Sequence, residues 1–138
     1  MCFGTFDVLH RGHEYYLREA RKFGDYLVVV VALDETVRKV KGSFPVHNQE
    51  ERLMNLQQLN LADKVVLGSS SDRLKVIEDE KPDIICLGYD QRSFTENLKE
   101  KLSHRGLKSV EIVRIPSYHP ETYKSSLLRK ASSGSGSC

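Results

Sequence analysis

The chain predicts an α/β domain: a doubly wound, five-stranded parallel sheet with helices on both faces. Three observations carry that expectation. Apolar residues alternate along the chain between strand-sized runs and stretches with helical spacing. The longest apolar run, "YLVVVVAL", is continuous and β-branched, as in a parallel strand covered on both sides. At 138 residues the chain has the length of one compact domain with a real core.

The elements follow in order. "MCFGT" is a short strand. Residues 12–23 form a helix, with Tyr16, Leu17, Ala20 and Phe23 at helical spacing and Gly24 as its stop. "YLVVVVA" is the second strand, and a basic, mobile loop carrying "RKVKG" is expected after it. "NQEERLMNLQQL" is a helix capped by Asn48, with Glu51 three residues on. "KVVLG", "DRLKVIEDE" and "PDIICLG" read as strand, helix and strand. "SFTENLKEKLSHRG" is a helix with a Ser93/Glu96 capping box and Gly106 at its end. "VEIVRIP" is the fifth strand, and "SSLLRKA" opens a last helix. Residues 1–131 are expected to form the domain, and 132–138, "SSGSGSC", a Ser/Gly-rich tail.

Bulk properties exclude several classes. A net charge of +2 is too small to argue for a nucleic-acid or membrane surface. No apolar run reaches the length of a membrane span and no secretory signal stands at the amino end, so a cytoplasmic location is expected. Cys2, Cys86 and Cys138 lack CxxC spacing, which suggests neither a disulfide framework nor a zinc site; the first two read as buried thiols. No GxGxxG follows the first strand, so a redox dinucleotide fold is a poor match.

Sheets of this kind bind ligands at the carboxyl ends of their strands. The unusual residues fall there: Thr5, Asp7, His10 and His13 after the first strand, and Asp34, Arg38, Lys39 and Lys41 after the second. Gly88, Tyr89, Asp90 and Gln91 follow the fourth, and His119, Lys124, Ser125 and Ser126 the fifth. Gly4 and Gly12 would let backbone approach a ligand and turn the N–H groups of the first helix toward an anion. His10 and His13 at the mouth of that helix can both donate to phosphate oxygens. Asp34 either steadies a strand-to-helix turn or reaches substrate; Lys39 and Lys41 would meet an acceptor phosphate. Arg52 either holds a phosphate or pairs with a carboxylate. Ser125 and Ser126, preceded by Lys124 at a helix start, suggest a second anion cradle.

"GTFDVLHRGH" resembles the GTFDxxHxGH signature of the cytidylyltransferase-like nucleotidyltransferases. "ALDETVRKVKG", "NQEERLMNL", "ADKVVLGS", "KPDIICLGYDQ" and "KSSLLRK" look like further blocks of that superfamily. The resemblance implies a Rossmann-like domain, a nucleoside triphosphate with Mg²⁺, and nucleotidyl transfer to a phosphorylated acceptor. It implies that His10 and His13 grip the triphosphate, with Thr5 and Phe6 lining the nucleotide pocket and Gly88 admitting ribose and base. Lys41 would meet the acceptor phosphate, Arg52 and Asp90 would contact substrate, and Ser125 and Ser126 would hold the β and γ phosphates. "DETVRKVKG" and "LGYDQ" look most like archaeal-type FAD synthases, which join the AMP of ATP to FMN. A CTP-dependent enzyme acting on a small phosphorylated alcohol such as glycerol 3-phosphate is the alternative, and a non-catalytic nucleotide-binding module the second. Members are often dimers, so a homodimer is expected on the same ground.

Overall fold

The structure is a computed structural model, and the residues it describes are 1–69, 72, 74–88 and 97–116. Five strands, β1 (Cys2–Gly4), β2 (Val28–Val31), β3 (Lys64–Leu67), β4 (Ile84–Gly88) and β5 (Glu111–Ile115), form one sheet. All neighbours are parallel, in the order β3-β2-β1-β4-β5. The helices are α1 (Arg11–Arg21), α2 (Asp34–Lys41), α3 (Gln49–Gln58), α4 (Lys75–Glu80) and α5 (Leu98–His104).

Side chains alternate across the central strands, so one sheet serves two cores. Cys2, Val29, Val31 and Cys86 face Tyr16, Leu17 and Ala20 of α1 and Leu56 of α3. Phe3, Val28, Val30, Ile85 and Leu87 face Ile77 of α4 and Leu98 and Leu102 of α5. All four valines of β2 are buried, which is why that strand reads as an unbroken apolar run. Cys2 and Cys86, expected to be buried thiols, are directly paired across β1 and β4 and both lie in the core. Burial pushes the Cys2 thiol up.

One segment departs from expectation. The basic stretch after β2 is not a loop: Asp34 to Lys41 is helix α2. Asp34 and Glu35 occupy its first turn and Arg38, Lys39 and Lys41 its last, the distribution that suits the helix dipole. Gly42, at φ 87°, closes it in the left-handed region, its N–H donating to the Arg38 carbonyl at 2.8 Å. Leu33 gives the helix no side-chain cap; Gln49 Oε1 instead accepts from the Asp34 N–H at 2.9 Å.

α3 has the expected Asn48/Glu51 capping box, with both reciprocal bonds at 2.9 Å. The described part of the fourth-strand crossover begins at Asn97, and its helix at Leu98; Ser93 and Glu96 lie outside the described residues, as does the expected helix at "SSLLRKA". Gly106 follows the end of α5 at φ 82°. Among the described residues no helix is long and apolar enough to cross a membrane.

Candidate active site

Strand order reverses at β1: the chain leaves it toward β2 and β3, then returns to its other side with β4 and β5. The crevice above such a reversal is where an open parallel sheet binds ligands. Cys2 pairs with Cys86, so Gly4 and Gly88 end their strands side by side at that point.

The chain leaves Gly4 through Thr5 and Phe6 into the turn before α1. Phe6 takes φ 52°, and its ring folds back over Gly4. A Cβ on Gly4 would lie 2.7 Å from the ring edge, so only glycine fits beneath it. Phe6 is wholly buried, with its ring centroid 5.4 Å from that of His13 and 6.3 Å from that of Tyr16. Gly4 thus makes room for the Phe6 ring, and the buried Phe6 side chain packs beside His13.

α1 begins with a capping box built from two imidazoles. His10 Nδ1 accepts from the Gly12 N–H at 3.0 Å, and His13 Nδ1 accepts from the His10 N–H at 3.3 Å. The carbonyl of His10 takes the N–H groups of His13 and Glu14. The Gly12 N–H is therefore spent inside the helix start, contrary to the expectation that it turns toward an anion. Each imidazole keeps its second nitrogen outside these capping bonds. A ring nitrogen that accepts carries no proton, so both neutral rings hold theirs on Nε2. Among the described residues neither Nε2 has a hydrogen-bond partner.

The rings stack with centroids 3.9 Å apart and planes 27° from parallel. His13 is buried, and desolvation, then His10 and Lys41, push its pKa down to about 3. Partial burial also lowers that of His10. Near neutral pH the corner presents two uncharged, fixed N–H donors.

Lys41, in the last turn of α2, acts on His13 electrostatically, which brings the basic end of that helix to the histidine corner. Lys39 is an exposed residue of the same helix. Arg52 is wholly buried on α3 and has three separate partners. Its Nε donates to the His47 carbonyl at 3.0 Å, and Nη1 to the Thr5 carbonyl at 2.9 Å. Nη2 donates to Asp34 Oδ1 at 2.7 Å. Of the two readings of Arg52, the structure shows the carboxylate pair: the guanidinium is enclosed by protein and ties the first-strand corner to α2. Asp34, part of the same bond, steadies the start of α2. Thr5 is buried, and its carbonyl is one of these anchor points.

Asp7 stands in the same corner. Its carboxylate accepts from the N–H groups of Val46 and His47 at 2.7 and 2.8 Å, stitching the 42–47 segment to the corner. Tyr16 anchors α1 beneath it, its hydroxyl donating to the Cys86 carbonyl at 2.6 Å. Arg114 Nη1 donates to the Gly88 carbonyl at 2.7 Å. Asp90, Lys124, Ser125 and Ser126 lie outside the described residues, as do Tyr89, Gln91 and His119. Among the described residues no cluster of three or more His, Cys, Asp or Glu side chains is placed to hold a metal.

A family model described as cytidylyltransferase-like matches residues 1–131. The chain is 43% identical over 130 residues to the FAD synthase of Thermoplasma volcanium, spanning 94% of this chain and 90% of that one. It is 47% identical over 118 residues to the FAD synthase of Aciduliprofundum boonei (86% and 78% of the two chains). With the Methanosarcina barkeri FAD synthase it shares 48% over 114 residues (82% and 79%). Among solved structures, a lipopolysaccharide core biosynthesis protein from Thermoplasma volcanium superposes with a TM-score of 0.81 at 44% identity, covering 86% of this chain and 96% of the other. A pantoate-beta-alanine ligase from Francisella tularensis shares the fold at 15% identity, with a TM-score of 0.60 over 94% and 64% of the two chains.

Proposed function

The chain belongs to the cytidylyltransferase-like family, and from that premise we propose that it is an FAD synthase, transferring AMP from ATP to FMN with release of pyrophosphate. It is a nucleotidyltransferase, and its kinship with FAD synthases over most of both chains supports ATP and FMN as the substrates. The observation that carries the chemistry is the pair of neutral imidazoles, each with Nδ1 engaged by backbone, which leaves the ring proton on Nε2.

The acceptor phosphate of FMN attacks the α-phosphorus of ATP in line. A new P–O bond forms as the α–β bridge breaks, and the electron pair leaves with pyrophosphate. A phosphate monoester is already anionic near neutral pH, so the attack needs no strong general base. His10 and His13 donate to triphosphate oxygens, where fixed N–H dipoles stabilise accumulating charge. Lys41, at the histidine corner, meets the acceptor phosphate, with Lys39 beside it on α2. Gly88 leaves the β4 end open to ribose and base, while Asp90, Lys124, Ser125 and Ser126 complete the grip on the nucleotide. Mg²⁺ would enter with the triphosphate, held by phosphate oxygens and water, and would supply charge neutralisation there. Residues 1–131 make up the catalytic unit and 132–138 an appended tail; a cytoplasmic location and a homodimer belong to the same proposal.

The test is product analysis. Protein, Mg²⁺ and FMN are incubated with ATP or with CTP, and products are separated by chromatography while pyrophosphate is followed. FAD formed with ATP is the expected result. Pyrophosphate released only from CTP, in the presence of glycerol 3-phosphate, would reassign donor and acceptor together.

A further inference from the structure

An FMN-using enzyme must hold a phosphate and a flat tricyclic ring at opposite ends of one molecule. The basic end of α2 can serve the first. The segment that follows it is unusual for a solvent-facing turn: Phe44 and Val46 are 59% and 77% exposed, and Val8 of the first-strand corner is 56% exposed. Single exposed apolar side chains are ordinary. These three are different because Asp7, next to Val8, fixes the backbone of Val46 and His47 through both carboxylate oxygens. Asp7 thus ties together, at the rim of the site, two segments far apart in sequence that each carry exposed apolar side chains. The Arg38 guanidinium sits 5.6 Å from the Phe44 ring centroid, holding that ring beside the end of α2.

We propose that Val8, Phe44 and Val46 form the docking surface for the flavin ring of the acceptor, and so set the enzyme's preference for FMN over small phosphorylated alcohols. The inference rests on the FMN reading above. Phe44 and Val46 follow Lys39 and Lys41 directly along the chain, and the Asp7 bonds bring the Val8 segment to them. Phe44 stands three positions after Lys41, a reach of at most about 11 Å, comparable with the extended phosphorylated five-carbon chain that joins the flavin to its phosphate. A small phosphorylated alcohol carries no ring and would leave the surface bare.

Steady-state kinetics with Mg²⁺, ATP and FMN test this in the whole chain carrying V8S, F44S and V46S together. KM for FMN should rise at least tenfold while KM for ATP stays within twofold. Tyr26→Ser, an equally exposed aromatic before the amino end of β2, should move neither value. Phe44→Leu, which keeps an apolar surface, should retain most of the affinity for FMN. Far-UV circular dichroism checks the fold; were the triple variant unfolded, Val46→Ser alone must raise KM for FMN about threefold. An unchanged KM for FMN, or parallel rises for FMN and ATP, would overturn the docking surface. Wild-type protein that forms no FAD would instead overturn the FMN reading on which it rests.

Discussion

Replacing Arg52 is the sharpest stability test of how the site is assembled. Arg52→Met keeps most of the side-chain volume and removes three donors at once, those to the Thr5 carbonyl, the His47 carbonyl and Asp34. Removing one partner of a buried ion pair costs about 3–5 kcal/mol. Asp34 retains 30% exposure, so water recovers part of its loss and the lower end, about 3 kcal/mol, is expected. Against a typical domain stability of about 5–15 kcal/mol the variant still folds. For a domain of this length the loss corresponds to a fall in Tm of about 10 °C. Urea unfolding followed by circular dichroism measures it directly. Arg52→Lys should lose nearly as much, because a single ammonium cannot serve three acceptors in the fork geometry of a guanidinium. A loss below about 1 kcal/mol, the scale of an exposed ion pair, would refute the claim that this guanidinium is a sealed anchor.

The histidines give a pH test. His13 has a folded pKa of about 3, below its unfolded value of about 6.5, so the unfolded chain takes up the proton first as pH falls. Stability is therefore lost from about pH 6.5 downward, by about 2 kcal/mol at pH 5; His13→Gln should remove that slope, and an unaltered slope in urea titrations at pH 7.5 and 5 would count against it. The same variant, like His10→Ala, should lower turnover about a hundredfold or more at pH 7.5. Gly4→Ala would drive a methyl against the buried Phe6 ring; a cost of about 1–3 kcal/mol is expected, with reduced turnover as His13 loses its support, and a variant with wild-type Tm and activity would show that Phe6 can yield.

The sheet and most helices were legible because their signals are local: the valine run of β2, the Asn48/Glu51 cap, the glycine after α5. The signal of α2 is equally local. Its charges suggested a loop, although "DETVRKVKG" has acids first, bases last and a closing glycine, and Val37 is buried on its inner face. Arg52 could be recognised as important but not assigned, since nothing near it names Thr5 or Asp34 as partners. A signal did exist: Arg52 stands four residues before Leu56, on the buried stripe of α3. Asp7 offered none, because the N–H groups it holds lie 39 and 40 residues away.

Helix capping, which the structure shows for the opening histidines, and the phosphate binding proposed for them can be served by the same side chains. α3 shows what capping alone needs: an asparagine and a glutamate joined by reciprocal hydrogen bonds. α1 makes the same bonds with imidazoles at both positions. Asn and Glu would satisfy the backbone equally well, yet the glutamate would put a negative charge at the site proposed for a triphosphate. Imidazole satisfies the helix with one nitrogen and keeps a donor on the other. Burial then holds the rings neutral, so two can stack 3.9 Å apart without charge repulsion. Capping fixes the tautomer, stacking fixes the aim, and Phe6, over a glycine that alone can fit beneath it, fixes the depth.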